Sequence, residues 1–157
     1  MVNKAVVDIL DAHCIMTIAT VRPDGWPQAT IVGYANDGLS LYFLVYRSSQ
    51  KFANIASDNR VAVTIGREPP QLSDVRAVYA GCKVSEVTDL AERGNAWLLL
   101  AQRHPQLTDL APPGNDEVAT MVAECEHVTL LDYSKGLGHS EDFTVEIAGS
   151  GSGALAV

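Results

Sequence analysis

The run Tyr46-Arg47-Ser48-Ser49-Gln50-Lys51, followed by Phe52-Ala53-Asn54-Ile55, gathers two cations, two hydroxyls and an amide within six residues. Residues 39–46 ahead of it (LSLYFLVY) read as a strand, and residues 51–57 read as a short helix that ends at Asp58-Asn59. A chain passing from strand to helix offers unpaired backbone N–H groups at the positive end of a helix dipole. Arg adds a planar, bidentate grip, Lys a mobile point charge, and Ser short hydroxyl donors. Together these suit the capture of a phosphate. The plain alternative is a solvated loop carrying ordinary surface charge. The chain as a whole is acidic, so a local cationic cluster in it asks for an explanation. Asp and Glu total 19 against 11 Lys and Arg, a net charge of −8. An anion must then be captured locally, because the overall field repels it.

The same field disfavours nucleic acid and anionic membrane surfaces as partners. No apolar run reaches the ~20 residues a spanning helix needs. The N-terminal stretch is broken by Asp8, Asp11 and His13 and does not resemble a secretion signal, so a cytoplasmic location is expected. With 157 residues and a 47% hydrophobic content, one domain over residues 1–148 is expected, followed by a flexible Gly-Ser tail over 149–157. Cys14, Cys82 and Cys125 form no CxxC pair and read as free thiols. The four histidines lack metal-type spacing, and no Ser-His-Asp pattern stands out. No metal site is expected.

Residues 14–21, 28–34, 39–46, 60–66, 76–87 and 126–133 read as strands, with turn signals at Arg22-Pro23-Asp24-Gly25 and Asn36-Asp37-Gly38. Residues 2–12, 51–57 and 89–103 read as helices, 118–123 as a helical turn, and 143–147 as a small extra strand. Gly81 marks a bulge or a corner. Hairpin links exclude a doubly wound parallel sheet, and closure into a small barrel would remove exposed edges. The expected fold is mainly β: a six-stranded antiparallel split barrel with a few helices.

The order of these parts resembles the pyridoxamine 5′-phosphate oxidase-like family of FMN-binding split barrels. The resemblance spans roughly residues 5–133 and is carried by TIATVRPDGWPQ, the hairpin ATIVGYANDGLSLYFLV, the segment YRSSQKFANI with its Ser-x-Lys core, and SDNRVAVTI. It implies a homodimer with cofactor sites at the subunit interface. Ser49 and Lys51 would bind the FMN phosphate, with Arg47, Ser48 and Gln50 beside them. Ala29, Thr30, Ile31 and Val32 would lie along the isoalloxazine, with Thr30 the best hydroxyl donor, and Leu44 and Val45 would line it from the neighbouring strand.

The sequence departs from the vitamin B6 oxidases at three places. Ala29 stands where they commonly carry Arg, Leu44-Val45 stand where Tyr-Thr is frequent, and the C-terminal segment lacks an Arg-x-His pair. Pyridoxamine phosphate is therefore not the expected substrate. The expectation is an FMN-dependent oxidoreductase acting on an unidentified small molecule or electron donor, with no catalytic acid or base assigned. The alternatives are a non-catalytic flavin- or heme-binding sensor dimer and a deazaflavin-dependent reductase. His139, in a glycine-rich exit loop, is the histidine that the resemblance marks for heme.

Overall fold

The structure, a computed structural model, describes residues 3–110, 112, 114 and 116–145. The tail expected over 149–157 lies outside them. Among the described residues, eight strands and three α-helices succeed one another: α1 (Lys4–Ala12), β1 (Ile15–Val21), β2 (Pro27–Gly33), β3 (Ala35–Asp37), β4 (Ser40–Tyr46), α2 (Gln50–Ser57), β5 (Arg60–Gly66), β6 (Arg76–Glu86), α3 (Leu90–Arg103), β7 (Val118–Asp132) and β8 (Ser140–Thr144).

All strand pairs are antiparallel. They follow the order β2-β1-β5-β6-β7-β4-β3, and β8 adds to β7. The sheet curls until β2 packs against β4, yet no strand pairing joins those two. The barrel is therefore split at this line. Strand interiors alternate: Ile18, Leu41, Phe43, Val63, Ile65 and Val78 point into the core, and their neighbours point out. At the turn expected around Asp24-Gly25, Gly25 has φ of +89°, and Gly38 closes the next hairpin at +58°.

The split barrel stands as read from the sequence, with eight strands in place of six. Residues 118–123, expected as a helical turn, open β7 instead. All six are buried, because the core covers one face and the other is covered too. A run that is apolar on both faces carries no period to separate strand from helix. Residues 28–34 divide at Tyr34, whose fully buried ring turns inward and donates its hydroxyl to Leu10 O at 2.7 Å. The small strand expected over 143–147 begins three residues earlier, at Ser140, while positions 146 and 147 lie outside the described residues. The irregularity expected at Gly81 is present: β6 and β7 shift register between Gly81 and Cys82, leaving Glu126 as the extra residue.

Each helix is started by a side chain. Asn3 caps α1, Ser49 caps α2, and Asp89 caps α3 through Glu92 N. The far end of α3 is pinned to α1. Arg103 donates to Leu10 O (3.0 Å), His13 O (2.6 Å) and Asn36 Oδ1 (2.9 Å), satisfying carbonyls at the end of α1. Arg103→Met keeps the stem and loses these bonds. It is expected to cost about 1–2 kcal/mol, read as a lower urea midpoint with unchanged slope.

Candidate cofactor site

Strand β4 leads into the cation-rich run, and Ser49 fixes the start of α2. Its Oγ accepts from Phe52 N at 3.2 Å and donates to Tyr46 O at 2.6 Å. The hydroxyl is thus occupied in shaping the turn. Ser48 is exposed beside it. Arg47 bonds Glu86 of β6 through two guanidinium nitrogens and lies 5.5 Å from the Phe52 ring centre. Glu86 holds the Arg47 guanidinium in its charged form and offsets that charge.

Lys51 behaves differently. It is half-buried, and among the described residues it makes no ion pair or hydrogen bond. Burial holds its pKa below that of a free lysine. A cation kept partly out of water without a carboxylate is costly unless an anion arrives.

Beneath the clamp runs a buried amide network. Asn54 of α2 is 0% exposed. Its Nδ2 donates to Thr20 Oγ1 and to Gln28 Oε1, both at 2.9 Å, and its Oδ1 accepts from Gln50 Nε2 at 2.8 Å. Gln50 therefore faces the network. The network ties α2 to β1 and β2.

On β2, alternation divides the four expected residues. Ala29 and Ile31 stand exposed on the outer face, and Val32 enters the core. Thr30 shares the inner face with Gln28, one pleat along from the amide network. Among the described residues, Thr30 Oγ1 is the buried side-chain polar atom that has no partner. An unmet buried hydroxyl costs roughly 1–3 kcal/mol. The same alternation separates Leu44 from Val45: Val45 is core, and Leu44 faces outward toward Trp97. Asn54, Gln28, Thr20 and Glu86 were not singled out from the sequence. The signal for Asn54 was a lone amide on the apolar side of a short helix.

The sequence profile of pyridoxamine 5′-phosphate oxidase matches residues 2–132. The chain belongs to the pyridoxamine 5′-phosphate oxidase family. Its fold is the flavin-binding split barrel of that family. Relatives within and around it differ widely. General stress protein 26 of Bacillus subtilis (strain 168) is 25% identical over 93 residues, 59% of this chain and 66% of its own length. This chain thus spans just under two thirds of that relative. A heme binding protein from Mycobacterium smegmatis superposes with a TM-score of 0.75 at 17% identity, over 90% of this chain and 58% of that one. An F420 reductase superposes with a TM-score of 0.61 at 25% identity, over 81% and 98%. Among the described residues no helix is long and apolar enough to cross a membrane. Among the described residues no cluster of three potential ligands is placed to hold a metal ion.

Proposed function

We propose that this chain holds FMN along the split between β2 and β4, with the phosphate at the start of α2, and acts as an oxidoreductase on a small molecule. The observation that carries this reading is Lys51, a partly desolvated cation at a helix start in an acidic chain, without a counter-charge among the described residues. The unmet Thr30 hydroxyl adds to it, since a polar heteroaromatic edge would supply the missing partner. Both features fit a phosphate-bearing flavin.

When bound, the flavin would supply hydride transfer. The residues of the chain bind and orient. Lys51 neutralises the phosphate, Ser48 and the first amides of α2 donate to it, and Thr30 fixes the ring edge. Arg47 acts on the clamp through Glu86 and Phe52, not as a spare charge. No side chain at this site is assigned as a proton donor.

The reading includes a homodimer and a cytoplasmic location. Trp26 and Ile31 are 71% and 73% exposed, and Ile15 flanks a cleft of about 600 Å³ beside β1 and β5. Apolar surface of this kind supports cover by a second copy. A deazaflavin is the second reading, supported by the F420 reductase likeness. Heme receives less support from this chain, because His139 Nε2 is 3.1 Å from Glu141 Oε1 and already engaged.

The visible spectrum of freshly purified protein, with the mass of any released cofactor, tests the proposal. Paired flavin bands and an FMN mass are expected, and anaerobic addition of a reduced nicotinamide nucleotide should bleach them. A Soret band, or a protein that stays colourless after incubation with FMN, would overturn it. Lys51 also sets a pH dependence. Anion binding needs its protonated form, so FMN affinity should fall as pH rises through its lowered pKa.

A further inference from the structure

A second groove lies between α3 and the outward faces of β4 and β7. It has two adjoining lobes, of about 280 Å³ at the Arg93 end and about 170 Å³ at the Tyr46 end. Leu44, Trp97 and Val118 line both. The walls are apolar, and the polar groups converge at one end: the Arg93 side chain and Thr120.

Arg93, like Lys51 and the exposed Arg67, has no ion pair among the described residues, and of the three it lines this groove. Among the described residues, eight of the chain's eleven Lys and Arg side chains are within ion-pair distance of a carboxylate. Arg93 is not among them, although acids outnumber bases. The acids nearest to it in sequence are committed elsewhere. Asp89 caps α3 through Glu92 N at 2.9 Å, and Glu92 accepts from Tyr42 Oη at 3.2 Å. A half-buried guanidinium over an apolar slot is therefore left for an outside anion.

We infer that this groove binds a small, flat, apolar monocarboxylate, its body against Trp97 and Leu44 and its carboxylate on Arg93. Indole and leucine walls favour a planar hydrocarbon body. One guanidinium, with one hydroxyl near it, matches one carboxylate. The Tyr46 end of the groove adjoins the clamp, since the Tyr46 carbonyl accepts the Ser49 hydroxyl. The role of this ligand as substrate rests on the proposed flavin site; its binding does not.

Calorimetric titration with 2-naphthoate and with the neutral 2-naphthylmethanol tests the inference. Naphthoate should bind saturably and at least tenfold more tightly than the alcohol. Arg93→Gln should erase that preference while leaving the alcohol unchanged. Trp97→Ala should weaken both, and Lys51→Ala should weaken neither. Arg93 is half-buried on the 14-residue α3 and makes no ion pair among the described residues, and circular dichroism of the variant confirms that it folds. Equal affinity for acid and alcohol, an unaltered preference in Arg93→Gln, or displacement of naphthoate by FMN would overturn the groove as a separate carboxylate site. Failure of FMN to bind while naphthoate still prefers Arg93 would sink the flavin reading and uphold the groove.

Discussion

Lys51→Met raises the FMN dissociation constant by roughly ten- to a hundredfold, while the variant is as stable as the parent or slightly more so. The first half follows from charge. A hydrogen bond from an ammonium to a phosphate contributes about 1.5–3 kcal/mol, and each 1.4 kcal/mol is a factor of ten. The second half follows from burial. Desolvation lowers the Lys51 pKa in the unliganded fold, so the folded state holds its proton less tightly than the unfolded chain. That difference is a stability cost, and it shrinks as pH rises through the lowered pKa toward the unfolded value. Methionine fills similar space and removes the cost. Quenching of FMN fluorescence gives the affinity, and urea unfolding gives the stability. Ser49→Ala supplies the contrast. It removes the cap of α2 and costs about 1 kcal/mol of stability, with a smaller effect on affinity, because that hydroxyl already serves Phe52 N and Tyr46 O. A Lys51→Met protein that binds FMN as well as the parent would place the phosphate elsewhere.

The two outcomes separate what could be read in the chain from what could not. The strand-turn-strand order, the position of the clamp at a strand-to-helix joint and the irregularity at Gly81 are local properties. Turn chemistry, β-branched runs and capping residues announce them. Burial on both faces is not local. Residues 118–123 lie between the core and the groove under α3, so their pattern carries no period, and a strand looked like a turn of helix. Partner choice is not local either. Arg47 and Lys51 are both cations in one short run, yet Glu86 lies 39 residues from the first, and among the described residues no carboxylate meets the second. Strand phase assigns Val32 and Val45 to the core and Thr30 to an unsatisfied position, and phase depends on register against β1 for the residues of β2 and against β7 for Val45. Gly33 shows the same limit. A Cβ there would meet His104 Cε1 at 2.8 Å, a contact 71 residues distant in sequence that no turn signal indicates.

Asn54→Ala destabilises the fold by about 2–4 kcal/mol, against the sign that helix propensity alone predicts. In an exposed helix interior the change would favour folding by a few tenths of a kcal/mol, since Ala is the better helix former. Here the amide is fully buried and makes three hydrogen bonds within one network. Truncation leaves the Thr20 hydroxyl, 3% exposed, without its donor and strips Gln28 and Gln50 of their shared partner. Each buried group so orphaned costs roughly 1–3 kcal/mol, which outweighs the propensity gain. Gln28→Ala removes part of the same network. The two substitutions together should then cost less than their sum, with a coupling of about 0.5–3 kcal/mol, because the second removes a group the first has already orphaned. The network also sets the clamp in place. It joins the helix that carries Lys51 to the strand that carries Thr30, so a loosened α2 must be reordered when the anion binds, and FMN affinity falls with stability. Urea unfolding of the two single variants and the double variant, with FMN titration of each, decides the matter. An Asn54→Ala protein of undiminished stability would mean that the amides contribute nothing net. One that loses stability but keeps full FMN affinity would mean that β2 and α2 do not hold a common ligand.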